Sequence, residues 1–184
     1  MKRPRTIKVD LVPVTAPAGE LADELGLPAK KKGAPRLLVG RREWIGLPEF
    51  GVSPLDAKTD SGARSSCLHA EEIVLSPDGR RVNFVTLNHY GDRISCEAAV
   101  VGSTKVRSSS GVARRRVFIE TEAVLPGGFR WRIRLTLADR SRMKCPVLLG
   151  RRALAGFFLI DPQASHLFGG VRELLRDIPG NRTA

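Results

Sequence analysis

An aspartate followed by a serine, a glycine and an alanine, Asp60-Ser61-Gly62-Ala63, puts a carboxylate on a sharp turn. Glycine adopts turn conformations that other residues resist. The Ser61 hydroxyl and the Gly62 amide can both hydrogen-bond that carboxylate and fix its direction. An oriented carboxylate on a rigid turn faces whatever approaches it, and the chemistry it offers is proton transfer. Three turn residues are common, so their meaning depends on what surrounds them. Lys58 precedes the aspartate by two positions and Arg64 follows the turn, so cations flank it on both sides.

Cys67 and His69 come shortly after, and a Cys/His metal site there is the alternative chemistry. Zinc peptidases need clustered ligands, commonly two histidines on one helix face as H-E-x-x-H. The three histidines, His69, His89 and His166, form no such pattern. His69 therefore reads as a structural hydrogen-bonding residue and Cys67 as packing. No metal and no cofactor is expected, and no Walker-type phosphate loop is present.

The turn needs a frame, and the 184 residues allow one domain with an extension. The hydrophobic fraction of 42% supports a packed core, and no apolar run reaches bilayer length. Three widely spaced cysteines fit reduced thiols in a cytoplasm better than a disulfide framework. A formal net charge of +12 implies anionic partners.

Residues 1–36 read as a basic, proline-containing extension. Strands are predicted at Leu37–Val39, at Glu71–Leu75 and Arg81–Leu87 as a hairpin about Pro77-Asp78-Gly79, and at Ile94–Val101. Residues 102–116 read as an exposed, basic loop. Val117–Leu125 and Arg130–Leu137 follow as strands. The second alternates Trp131, Ile133, Leu135 and Leu137 against Arg130, Arg132, Arg134 and Thr136, a half-buried strand with a basic outer face. An apolar strand from Met143 ends at Gly150 and enters a short helix. Phe157–Ile160 is the last strand, and 171–184 a C-terminal tail with at most one short helix. The pattern is an all-β, small closed or partly closed domain occupying 37–170.

Late in the domain, Leu148-Leu149-Gly150 is followed by Arg151. Together with Asp60-Ser61-Gly62-Ala63, this pair resembles the retroviral-type aspartic proteases. More closely, Arg42-Glu43-Trp44, Leu47-Pro48, Ala57 to Ala70, Arg107 to Gly111 and Met143 to Arg151 resemble the bacterial family labelled "ATP-dependent zinc protease", which includes RimB-type glutamyl endoproteases. The resemblance implies a retropepsin-like fold and removal of poly-glutamate tails, in a system whose ATP-grasp ligase adds them to a ribosomal small-subunit protein. The ATP in the label would then belong to the ligase.

By that resemblance Asp60, Ser61 and Gly62 are catalytic, and Ala63, His69, Leu148, Leu149 and Gly150 support them. Lys58, Arg64, Arg107 and Arg151 are substrate-binding, with Arg64 and Arg151 free to meet an anion. An aspartic mechanism needs two carboxylates sharing a proton, and the chain has one such turn. A symmetric homodimer must supply the second Asp60. Cations beside such a pair oppose a shared proton, so either substrate carboxylates offset Lys58 and Arg64 on binding or the mechanism is not the standard aspartic one.

The alternative is a non-catalytic basic β-domain that binds acidic protein or RNA. It rests on the net charge and the arginine-rich strand at 130–134. One tyrosine, two tryptophans and seven phenylalanines leave it few stacking platforms for single-stranded RNA.

Overall fold

The structure, a computed structural model, describes residues 36–107 and 113–178. All but Arg36 of the extension expected over 1–36, the residues 108–111 of the Arg107 to Gly111 block and the last six residues of the expected tail lie outside the described residues.

Among the described residues twelve strands and two short helices follow one another. The first four strands are β1 (Leu37–Gly40), β2 (Arg42–Leu47), β3 (Val52–Asp60) and β4 (Ser66–His69). Next come β5 (Glu71–Leu75), β6 (Arg81–Leu87), β7 (Arg93–Ala99), β8 (Gly102–Arg107), β9 (Ala113–Val124) and β10 (Arg130–Ala138). The chain closes with β11 (Val147–Gly150), α1 (Arg151–Leu154), β12 (Phe158–Asp161) and α2 (Val171–Arg176). Pro48 ends β2, opening a single 3-10 turn over Pro48–Phe50.

Six strands close on themselves in the order β10-β4-β11-β3-β2-β9, with β9 returning to β10. Closure removes the open edges that a flat sheet would present. The fold is thus the small closed β-barrel with one short helix after the Leu-Leu-Gly strand that the sequence implied. Inward positions alternate as period-2 patterning requires. Trp131, Ile133, Leu135 and Leu137 are buried on β10, and meet Ile45, Leu55, Leu68, Ile119 and Leu149 in one core. Trp131 also donates Nε1–H to the carbonyl of Ala153 at 3.1 Å, fixing α1 against β10.

The hairpin about Pro77-Asp78-Gly79 forms, with Gly79 in the left-handed region at φ +68°. It belongs to a separate three-stranded meander, β5-β6-β7, anchored through buried Phe84.

Two expectations are corrected. Residues 102–116 are not one loop: β8 pairs antiparallel with β9 from Gly102↔Phe118 to Arg107↔Ala113. The outer face of β10 is not a bare basic stripe either. Arg130 pairs with Glu122 at 2.6 Å, Arg134 with Glu120 at 2.6 Å, and Arg132 with Glu49.

Packing continues past residue 170. On α2 and just beyond it, Leu174 and Ile178 are buried against Val124, with Trp44 alongside.

Candidate active site

β3 carries Asp60 out to the end of the barrel. It is held there in parallel register with β11, Thr59 opposite Leu149 and Asp60 opposite Gly150. Thr59 turns inward, donating its hydroxyl to the Gly40 carbonyl at 3.0 Å and its amide to Arg41 at 3.1 Å. Lys58 and Asp60 share the opposite face by strand alternation. Lys58 is exposed and Asp60 half-buried.

At Asp60 the chain leaves the sheet. Oδ1 accepts the amides of Gly62 at 2.9 Å and Ala63 at 3.0 Å. Backbone donors thus fix the carboxylate through one oxygen, while Oδ2 has no hydrogen bond among the described residues. Charge-assisted bonds of this kind are strong and directional. Ser61 is exposed, and the carboxylate's donors are backbone amides rather than the Ser61 hydroxyl expected to share in orienting it.

The turn is supported from β11 and α1. A Cβ on Gly150 would lie 2.6 Å from the Ser65 carbonyl carbon and 3.0 Å from the Ala63 oxygen. Only glycine lets the loop pass this close. Gly150 donates its amide to buried Ser66 Oγ at 3.0 Å, and Arg151 donates its own to the Ala63 carbonyl at 2.8 Å. Leu149 is buried beneath, and Leu148 sits beside Lys58 in register. Leu148, Leu149, Gly150 and Ala63 therefore gather at the turn as expected.

Arg151 is not free. Its Nη1 donates to the carbonyls of Ser61 at 3.0 Å and Gly62 at 2.9 Å, so the guanidinium clamps the turn from outside. The expectation of a loose, substrate-facing Arg151 is corrected to one of a loop fastener, because unpaired turn carbonyls are the nearest acceptors. Arg64 is exposed and no carboxylate meets it among the described residues. Arg107 sits at the end of β8, opposite Ala113.

His69 faces elsewhere. It is buried at the far end of β4, where Nδ1 accepts the Arg140 amide at 3.0 Å and Nε2 lies 3.5 Å from Glu71 Oε1. Asp139 lies 3.9 Å from Nδ1. Its carboxyl is held below the usual range, first by hydrogen bonds from Ser141 and then by His69 and Arg142. His69 thus ties down the segment after β10 instead of supporting the Asp60 turn. Cys67 is buried and its thiol points to the Leu68 carbonyl at 3.8 Å. Among the described residues no group of three or more His, Cys, Asp or Glu side chains is arranged to hold a metal ion.

Three contributors were not singled out beforehand. Ser66 takes the Gly150 amide, and Asp56 takes the charge of Arg42 through Nε at 3.0 Å and an ion pair to Nη2. The third, Glu43, is fully buried and accepts amides from Gly40 at 2.6 Å, Leu167 at 3.0 Å and Phe168 at 3.4 Å. It pins Leu167 and Phe168 to Gly40, just ahead of β2, and Gly40 and Arg41 carry the carbonyls that Thr59 bonds. A signal was available: Glu43 alternates in phase with Ile45 and Leu47, so it belongs to the buried face.

A protein-family model described as "RimB-like: Retropepsin-like aspartic endopeptidase RimB" matches residues 38–168. Two curated relatives are each described as "Probable alpha-L-glutamate ligase". One, from Parasynechococcus marenigrum, is 38% identical over 75% of this chain and 30% of its own length. The other, from Shewanella pealeana, is 34% identical over 81% of this chain and 34% of its own. The chain thus spans about a third of the length of the curated relatives it matches. A solved Legionella pneumophila structure, described as a protein of unknown function, superposes with a TM-score of 0.61 at 27% identity. It covers 73% of this chain and 99% of that one.

Proposed function

The chain belongs to the RimB-like family of retropepsin-like aspartic endopeptidases, and from that premise we propose that it hydrolyses peptide bonds in acidic, poly-glutamate tails of a protein. The observation that carries this reading is the Asp60 carboxylate, oriented through one oxygen by Gly62 and Ala63 and open at the other. It is half of an acid–base pair. In a homodimer, Asp60 of each subunit would approach the other across the two-fold axis and the pair would hold one proton. The ionised carboxylate takes a proton from water as its oxygen attacks the scissile carbonyl. The protonated one donates to the carbonyl oxygen, and collapse of the tetrahedral species breaks the C–N bond with proton transfer to the leaving amine.

Specificity for glutamate is supported by charge. Lys58 and Arg64 are exposed on either side of Asp60, and Arg42, which pairs with Lys58 in register, is already engaged by Asp56. Substrate carboxylates entering here would meet the charges of Lys58 and Arg64.

The relatives' name fits the same picture. They are called glutamate ligases, and this chain corresponds to about a third of each. A segment that removes glutamate, working with one that adds it, reconciles the peptidase family with the ligase name. A ligated ribosomal protein and an ATP-grasp ligase acting in the cytoplasm are the substrate and partner this reading proposes.

The test is a protein tail of several glutamates against the same tail in glutamine. Mass spectrometry should show stepwise shortening of the first only. Equal trimming of both, or of neither, would set glutamate specificity aside.

A further inference from the structure

We propose that Arg64 and Arg152 together form a carboxylate-binding subsite beside the Asp60 turn, in which Arg152 selects the acidic side chain that flanks the scissile bond. This rests on the peptidase reading above and assigns a residue that reading does not use.

The two arginines start from adjacent points of one rigid ladder. Arg151 donates its amide to the Ala63 carbonyl at 2.8 Å, and one step on Arg152 donates its amide to the Arg64 carbonyl at 3.2 Å. The loop behind is seated on Gly150, so neither backbone can drift far. Arg151 and Arg152 then divide the work. Arg151 clamps the turn carbonyls, while Arg152, half-buried, makes no hydrogen bond or ion pair through its side chain among the described residues.

No carboxylate pairs with it among the described residues. Arg134 is close, but its Nε and Nη2 are both taken by Glu120, at 2.9 and 2.6 Å. On the neighbouring barrel strands Arg42 has Asp56, Arg130 has Glu122 and Arg132 has Glu49. Among the described residues no carboxylate pairs with Arg64 or Arg152. Burial, followed by the charges of Arg64 and Arg134, holds the Arg152 guanidinium below its usual value. An anion placed between Arg64 and Arg152 would relieve that repulsion. A guanidinium accepts a carboxylate in two parallel hydrogen bonds, which fixes the direction of the group as well as its charge. Arg64 follows Ala63 directly, so a side chain held there belongs to a residue next to or near the bond facing Asp60.

The experiment separates this subsite from catalysis by measuring binding. The full chain carrying Asp60→Asn is titrated with a labelled hexaglutamate peptide at about 0.1 M salt, where long-range charge effects are damped. Arg152→Gln, Arg64→Gln, the double variant and Arg152→Lys are compared, with Arg172→Gln as an equal change of net charge at an exposed helical position. Folding of each is checked by thermal melting.

Loss of Arg152 should weaken binding roughly 10-fold, as for a charge-assisted bidentate contact, and lysine should restore only part. Replacing the glutamates singly by glutamine should identify one position that costs about 10-fold in the parent and nothing in Arg152→Gln. Equal losses for Arg152→Gln and Arg172→Gln would overturn the subsite, as would glutamine costs unchanged by Arg152→Gln or an absence of hexaglutamate binding. Failure of the peptidase reading looks different: the parent then binds with this Arg152 dependence, but the wild type leaves the peptide uncut.

Discussion

The amide of Gly150 donates to the hydroxyl of Ser66 at 3.0 Å, both groups buried. This bond joins the two sequence blocks that define the site, one containing the Asp60 turn and the other the Leu-Leu-Gly strand. Replacing Ser66 by Ala leaves a buried amide without its acceptor, at a cost of about 1–3 kcal/mol. Chemical denaturation should show a lower midpoint for Ser66→Ala at unchanged slope. An unaltered midpoint would mean that Ser66 is dispensable.

Gly150→Ala should be worse in kind. The added Cβ meets Ser65 backbone at 2.6 and 2.7 Å, and backbone cannot yield as a side-chain tip can. Overpacking of this sort costs roughly 1–3 kcal/mol, and here relief moves the loop that carries Asp60. Peptidase activity should fall further than stability explains. A fully active Gly150→Ala enzyme would refute that coupling.

Arg151→Ala removes two charged hydrogen bonds to the turn carbonyls. The turn should loosen while the barrel stays folded, since Arg151 is exposed and outside the core. A loss of 10-fold or more in kcat, with KM little changed, is expected of a positioning residue, on the order of one charged hydrogen bond. A rise in KM alone would return Arg151 to substrate binding.

His166 gives the molecule an acid-sensitive point. Burial, and to a lesser extent the charge of Arg42, pushes its imidazole below the usual histidine value despite the Glu43 carboxylate. Asp56 Oδ1 lies 3.7 Å away and Trp44 stacks on the ring. The unfolded chain therefore binds this proton more readily than the folded one, from pH about 6.5 downward. Stability from this source is complete above that range and is lost as pH falls through it. Urea unfolding at pH 7.5 and pH 5.5 should show a smaller acid loss in His166→Asn, asparagine tolerating the φ of +55°. The same acid loss in both proteins would dismiss His166 as the source.

Much of this was legible locally. The Asp60 turn, the β10 alternation and the Pro77-Asp78-Gly79 hairpin each depend on residues a few positions apart. What was missed depends on distant pairing. Arg114, Arg115 and Arg116 read as loop because no apolar alternation marks that part of β9, and only the partner strand β8 makes it a ladder. The three β10 arginines look like a basic face until Glu49, Glu120 and Glu122 arrive from other segments. Arg151 looked free because main-chain carbonyl acceptors have no sequence signature.

Cysteine chemistry can be set against the carboxylate. Burial pushes the Cys96 thiol up to about 11, and Cys67 and Cys145 are buried as well. At pH 8 Cys96 is thiolate in about one molecule in a thousand, too little for ready alkylation. Iodoacetamide at that pH should leave the folded enzyme active and label it after unfolding. Rapid inactivation of folded protein would point to a thiol in the reaction.

The central claim is that Asp60 performs hydrolysis without a metal, and its most direct measurement is cleavage of a glutamate-ended peptide in chelator by wild type and by Asp60→Ala. The account predicts cleavage by the wild type that the chelator does not reduce and that Asp60→Ala abolishes. Equal cleavage by the two proteins would contradict it.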